Sequence, residues 1–169
     1  MKNIVLIGMP GAGKSTVGVV LAKALGMQFI DTDLIIQQKN NEILQEIIDK
    51  KGLEFFLKTE QEVICDLSLN SSVIATGGSA VLSEKAMKSL RENGIIVYLE
   101  APLEEIKSRI SNITTRGIAM AKDESIDSIF IKRVPLYEKY ADITVSSRAS
   151  FEETVEKIIE EIKNSGELS

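Results

Sequence analysis

The apolar residues of this chain alternate between short continuous runs and helically spaced stretches. The continuous runs are rich in β-branched residues and predict strands over 3–7, 27–30, 72–76, 95–99 and 141–145. Apolar residues three or four apart predict helices over 14–25, 34–50, 54–69, 83–93 and 125–139, with others opening at Pro102 and Ser150. Strands that alternate with helices form parallel sheets. The pattern therefore predicts an α/β fold, a five-stranded parallel sheet flanked by helices on both faces.

The length of the chain fits one unit of this kind. Its 169 residues suit a single domain over 1–169, and no repeat, linker or low-complexity tract interrupts the pattern. Residues 112–124 have weak periodicity and predict a mobile loop.

Composition narrows the classes of partner and chemistry. A net charge of −5 argues against a nucleic-acid or anionic-membrane partner, and the longest apolar run near the start is too short to span a bilayer. The single cysteine, Cys65, leaves no intramolecular disulfide and favours a cytoplasmic protein. There is no histidine, so acid–base chemistry must use carboxylates, Lys, Arg, hydroxyls or backbone amides.

A glycine-rich loop follows the first strand. Residues 8–15, GMPGAGKS, fit G-x-x-x-x-G-K-[ST] at every fixed position, and the loop opens a helix. Backbone amides in such a loop bind phosphate, Lys14 would reach the β- and γ-phosphates, and Ser15 would ligate Mg²⁺. A dinucleotide site would need glycine where Thr16 stands. The predicted nucleotide-binding residues are Gly11, Ala12, Gly13, Lys14, Ser15 and Thr16.

Two carboxylates follow the second strand. In an extended segment Asp31 and Asp33 would point to the same side, at the carboxyl edge of the sheet beside the phosphate loop. One could bind Mg²⁺, and the other could accept the proton of a hydroxyl that receives a phosphoryl group. The alternative is that Asp33 only caps the next helix. The sequence has neither the NKxD motif with which GTPases recognise guanine nor an apolar run ending in a Walker-type DE pair, as motor ATPases have. Their absence favours a small-molecule kinase.

Over nearly its whole length the chain closely resembles the shikimate kinase family. The resemblance is carried by GMPGAGKSTVG, FIDTDLII, GLEFFLKTE, VIATGGSAVL, TTRGIAM and RVPLYEKYAD. It implies a fold like that of nucleoside monophosphate kinases, transfer of phosphate from ATP to a ring hydroxyl of shikimate with Mg²⁺, and a lid over about 112–122. The acceptor would bind among helices over about 33–60.

The resemblance also implies roles for individual residues. Lys14 and Ser15 would bind phosphate and Mg²⁺, with Asp31 supporting the metal and Asp33 as base. Gly77, Gly78 and Arg133 would bind the acceptor, Arg116 would reach the transferring phosphate from the lid, and Arg109 and Arg148 would contact adenine. The composition agrees, because four of the five arginines in the chain fall at these positions.

The acceptor half departs from the family pattern. Leu53 and Leu57 stand where the family pattern GExxFRxxE has Glu and Arg. In the family that arginine would help to bind the acceptor carboxylate, so Leu57 occupies an acceptor-binding position without its positive charge. Ser79 replaces the third glycine of GGG, and Gly117 replaces the proline after the lid arginine, which would loosen the hinge.

Three hypotheses remain open at this point. The chain is a shikimate kinase with a variant pocket, a kinase for another small polyol or hydroxy acid, or a non-catalytic nucleotide binder. In each case we expect a monomer that binds ATP, and in the first two a small hydroxylated acceptor.

Overall fold

A computed structural model describes residues 1–111 and 117–167 of the chain. Its sheet has five parallel strands in the order β2-β3-β1-β4-β5. The strands are β1 (Asn3–Ile7), β2 (Gln28–Asp31), β3 (Ser72–Ala75), β4 (Gly94–Glu100) and β5 (Ile143–Ser146). Because β1 lies at the centre, between β3 and β4, its four apolar residues are fully buried. The predicted sheet is confirmed.

Helices cover both faces of this sheet. They are α1 (Lys14–Leu25), α2 (Thr32–Asn40), α3 (Leu44–Lys51), α4 (Leu53–Cys65), α5 (Glu84–Glu92), α6 (Leu103–Ser111), α7 (Ile126–Tyr140) and α8 (Phe151–Asn164), with a 3₁₀ turn at Ala80–Leu82. Helices α1 and α8 pack together on one face, while α5 and α7 pack against β4 on the other.

A second, smaller apolar cluster lies beside the sheet. Its buried members come from α2, α3, α4 and the segment that follows the undescribed residues: Ile36, Leu44, Ile47, Phe56, Val63 and Ala119. These helices therefore have a core of their own, which holds them at one side of the carboxyl edge of the sheet.

The long helix predicted over 34–50 is wrong. The structure has two helices, α2 and α3, because Asn41 adopts a left-handed conformation (φ 53°) that ends α2. Asparagine tolerates this conformation better than most residues. Helix α4 ends at Cys65, earlier than the predicted 69.

The predicted loop over 112–124 is described only in part. Residues 112–116 lie outside the described residues, and 117–125 contain a turn but no helix or strand. Within the described ranges, we find no helix that combines the length and apolar character required to cross a membrane.

Candidate active site

The glycine-rich loop connects β1 to α1 at the carboxyl edge of the sheet. Gly13 immediately precedes α1 with φ 94°, a conformation that side-chain-bearing residues rarely adopt. Lys14 is buried, and its Nζ donates hydrogen bonds to Gly8 O (2.7 Å) and Met9 O (2.8 Å). The buried Ala12 amide donates to Met9 O at 3.1 Å. These hydrogen bonds within the loop fix its conformation, and the N-terminus of α1 faces a cavity.

Ser15 and Asp31 meet beside this loop. Ser15 Oγ donates to Asp31 Oδ2 at 2.9 Å, and Asp31 Oδ1 accepts from the Asp33 amide at 2.9 Å. Segment 31–33 is therefore not extended as predicted, because α2 begins at Thr32. Asp31, not Asp33, caps α2. The hydroxyl and carboxylate predicted to hold Mg²⁺ are brought together, and Asp33 lies in the first turn of α2.

A cavity of about 380 Å³ extends from the phosphate loop to the acceptor helices. Its nucleotide half is lined by Gly11, Gly13, Lys14, Ser15, Thr16, Arg109 and Phe151. Its other half is lined by Asp33, Phe56, Thr76, Gly77, Gly78, Ser79, Ile118, Ala119 and Arg133. The two halves place a phosphate-binding loop and a carboxylate within one cavity.

The glycines after β3 let side chains approach the backbone closely. A β-carbon at Gly77 would lie 2.7 Å from both Asp33 Oδ1 and Glu60 Oε2, and one at Gly78 would lie 2.6 Å from Pro10 Cδ. Real β-carbons do not make contacts this short, so a side chain at Gly77 would push the Asp33 and Glu60 carboxyl groups away, and one at Gly78 would clash with the rigid ring of Pro10. Gly78 O also accepts a hydrogen bond from the buried Tyr137 hydroxyl at 2.5 Å.

Arg133 presents a buried cation to the acceptor half. The residue is 3% exposed, and its Nη2 donates to Ala119 O. Its Nη1 is buried and makes no hydrogen bond within the described part of the chain. A buried guanidinium nitrogen without a partner is costly, so this donor fits a site that receives an anionic group.

Glu60 is a buried carboxyl group beside the acceptor half of the cavity. It is 2% exposed and accepts a hydrogen bond from Ser79 Oγ at 2.7 Å through Oε1, while Oε2 has no partner among the described residues. Burial raises the pKa of Glu60 to about 7, with a smaller rise from Asp33, partly opposed by the Ser79 hydrogen bond, Arg133 and Lys14. Its protonation state therefore changes near neutral pH.

The comparisons with known proteins agree with this geometry. A family model described as shikimate kinase matches residues 10–163. The chain belongs to the shikimate kinase family.

Relatives match over nearly full length. The shikimate kinase of Francisella tularensis subsp. novicida is 39% identical over 95% of this chain and 92% of its own, and that of Thermodesulfovibrio yellowstonii is 40% identical over 95% of both. Among solved structures, shikimate kinase from Acinetobacter baumannii in complex with shikimate has a TM-score of 0.91 at 32% identity, covering 100% of this chain and 96% of that one.

Three residues to which the resemblance to shikimate kinases assigned a role, Leu57, Arg148 and Arg116, are not among the described residues that line the cavity. Leu57 packs against the smaller apolar cluster, and Phe56 beside it lines the cavity instead. Arg148 is exposed and is not among the lining residues, whereas Arg109 lines the cavity and donates from Nη1 to Gly11 O at 2.9 Å. Arg116 lies outside the described residues. These three assignments stay predictions.

Sequence reasoning missed two residues of the site. Phe151, the first residue of α8, is 43% exposed, and its Cε1 lies 3.2 Å from where a Gly13 β-carbon would be. The sequence alone assigns no role to Glu60. The sequence does contain a signal for this residue, because Glu60 falls on the helix face that carries the apolar Phe56, Val63 and Ile64. A carboxylate on a buried face is uncommon and indicates a specific role.

Proposed function

We propose that this protein transfers the γ-phosphoryl group of ATP to a hydroxyl group of shikimate. The observation that carries the proposal is the buried Arg133 Nη1 in the same cavity as Asp33 and the phosphate loop. A hydroxylated acid would place its carboxylate at Arg133 and a hydroxyl near Asp33. Membership of the shikimate kinase family supports shikimate as that acid.

In this proposal the chain contributes positioning and charge. Backbone amides at the start of α1 and Lys14 bind the phosphates, while Arg133 and the glycines after β3 fix the acceptor. The acceptor oxygen attacks the γ-phosphorus as its proton passes to Asp33, and the bond to the leaving ADP oxygen breaks. Arg116, implied by the family pattern as the lid residue, would add positive charge to the transferring group.

Ser15 and Asp31 are the residues that would hold Mg²⁺. Their oxygens are hard ligands, and their 2.9 Å contact places both beside the phosphate loop. The described residues contain no group of three or more His, Cys, Asp or Glu side chains that could hold a metal. Phosphate oxygens and water would therefore complete the coordination. Bound there, Mg²⁺ would neutralise phosphate charge.

The test is ADP release from ATP and Mg²⁺ with shikimate, with quinate and with small polyols. We expect saturable turnover with shikimate and little with neutral polyols, because these lack a carboxylate for Arg133. Turnover with a polyol but not with shikimate would overturn the proposal.

Asp33→Asn tests the assignment of the base. We expect turnover to fall by a factor of at least about 100, the lower end of what general bases contribute, while ATP binding is kept. Asp123→Asn, which neutralises a carboxylate on an exposed turn, is the matched control. Turnover near that of the unmodified protein would contradict the role of Asp33. The monomeric state and the cytoplasmic location stay predictions.

A further inference from the structure

A buried carboxyl group that the proposed phosphoryl transfer does not use, Glu60, lies next to the acceptor half of the cavity. Glu60 lies behind Ser79, which lines the cavity, and the Ser79 hydroxyl is the hydrogen-bond partner of Glu60 Oε1 at 2.7 Å. The absence of a side chain at Gly77 lets Glu60 Oε2 approach the cavity wall. A buried carboxyl oxygen with no partner in the described part of the chain indicates a function beyond packing.

The charged groups that face Glu60 do not form one simple ion pair with it. Asp33 on α2 repels a negative charge there, while Arg133 on α7 and Lys14 on α1 attract it. Arg133 Nη2 and Lys14 Nζ both donate to backbone carbonyl groups. No ion pair within 4.0 Å joins Glu60 to a cation among the described residues, and its direct partner is a neutral hydroxyl.

A serine hydroxyl can both donate and accept, so the charge of Glu60 controls what Ser79 offers to the cavity. When Glu60 is ionised, its carboxylate can only accept hydrogen bonds, so the Ser79 hydroxyl must donate its hydrogen bond to Oε1. Ser79 Oγ can then only accept hydrogen bonds from a ligand in the cavity, and the negative charge of Glu60 lies next to it. When Glu60 carries a proton it can donate to Ser79, and the serine hydroxyl is released to donate into the cavity.

We propose that Glu60 and Ser79 form a proton-controlled hydrogen-bond pair that couples binding of the anionic acceptor to protonation of Glu60. This inference rests on the proposed function. Ser79 touches the acceptor, and Glu60 acts through Ser79 as a positioning residue. The proton taken up from solvent removes the negative charge next to the incoming carboxylate.

The replacements in this chain make such coupling useful. Where the family pattern has an arginine, Leu57 supplies no cation, so the acceptor pocket lacks one positive charge. A proton on Glu60 removes one negative charge next to the pocket, which offsets the positive charge missing at position 57. Ser79, in place of glycine, supplies the hydroxyl through which the proton acts.

The test is the pH dependence of the KM for shikimate. Because the pKa of Glu60 is about 7, preferential binding to the protonated form should raise this KM roughly tenfold to thirtyfold between about pH 6 and about pH 8.5. The KM for ATP serves as an internal control and should change much less. In Glu60→Gln, which is neutral at every pH and keeps a donor, the KM for shikimate should become nearly independent of pH.

Glu62→Gln is the matched control, since it makes the same change at an exposed position of α4 and should keep the pH dependence of the unmodified protein. Persistence of the full pH dependence in Glu60→Gln would overturn the inference. If shikimate is not a substrate of the unmodified protein, the proposed function fails instead, and the two failures are therefore distinguishable.

Ser79→Ala gives a second test that does not need a change at the buried carboxyl. The Ser79 hydrogen bond lowers the pKa of Glu60, so its loss should move the midpoint of the KM profile to higher pH and raise KM at low pH. An unchanged midpoint and an unchanged KM at low pH would also overturn the inference.

Discussion

Leu57 and Glu60 lie three residues apart on α4, at a spacing that places helix side chains on neighbouring positions. Leu57 packs against the smaller apolar cluster. The preceding residue, Phe56, lines the cavity, so position 57 lies close to it. A cation at position 57 could therefore pair with Glu60. This relation links the leucine that departs from the family pattern to the buried carboxyl group.

Leu57→Arg should lower the KM for shikimate, most strongly at high pH. A guanidinium one turn from Glu60 would favour the ionised carboxylate, lower its pKa, and add positive charge for the acceptor. We expect KM to fall by about tenfold near pH 8.5, the effect of one charged hydrogen bond, and its pH dependence to flatten. Leu57→Met, which keeps the apolar packing, is the control. A higher KM with the pH dependence intact would show that position 57 does not reach this pocket.

Phe151 should contact the nucleotide base. Its exposed ring and the Arg109 guanidinium both lie close to Gly13 in the nucleotide half, and aromatic stacking contributes about 0.5–1.5 kcal/mol. Phe151→Ala should therefore raise the KM for ATP by roughly twofold to tenfold and leave that for shikimate unchanged.

The chain has no tryptophan, so Phe151→Trp creates a single fluorophore. Its emission should change when ADP is titrated in, and the titration gives the dissociation constant. Phe55→Trp on α4, also partly exposed, is the control and should not respond. No response from position 151 would contradict a stacking role.

Sequence reasoning located the residues whose position depends on the local chain. Lys14, Ser15 and Asp31 follow directly from a loop and a strand end, and the structure brings them together. Glu60 and Phe151 depend on how separate helices pack across the molecule. No local pattern specifies which helix face will border a cavity, so these residues were placed by packing that the sequence alone does not reveal.

At the scale of elements, the break between α2 and α3 shows how side-chain chemistry overrides periodicity. Apolar spacing continues through 34–50, but Asn41 turns the chain and the Gln37 side chain accepts from the Leu44 amide at 3.1 Å. That hydrogen bond satisfies an amide at the start of α3. Two adjacent asparagines at 40–41 were the available signal. Strands were easier to predict, because buried parallel strands are continuous apolar runs.

Gly117→Ala should weaken acceptor binding. The backbone at Gly117 passes so close to α3 that a β-carbon would lie 2.3 Å from Leu44 Cβ and 2.8 Å from the Gln45 amide nitrogen. The methyl group would displace the segment that carries Ala119, whose carbonyl holds Arg133. We expect a several-fold rise in the KM for shikimate with ATP binding unchanged.

Close packing thus adds a steric role for Gly117 to the hinge flexibility expected from the sequence, which stays a prediction. If Gly117→Ala instead lowers the KM for shikimate, restricted backbone freedom would be the dominant effect, and the flexibility hypothesis would be favoured.

At the scale of the whole molecule, the cavity lies where the main core and the smaller cluster meet. Arg133 on α7 bonds to Ala119, which belongs to the smaller cluster, and Tyr137 on the same helix bonds to Gly78 after β3. Helix α7 therefore connects both parts at the acceptor half. A ligand bound there would contact groups from both, so its binding should stabilise the folded chain as a whole.

Thermal unfolding should separate the two halves of the site. ADP and shikimate, each at about 100 times its dissociation constant, should stabilise the folded state by about 2.7 kcal/mol, which corresponds to a Tm rise of roughly 5–10 °C for a chain of this size. Arg133→Lys keeps a positive charge but loses the planar pair of donors, so the shikimate shift should shrink while the ADP shift is kept. An undiminished shikimate shift in Arg133→Lys would mean that the acceptor carboxylate binds elsewhere. Loss of both shifts would mean that α7 supports the phosphate loop as well as the acceptor half.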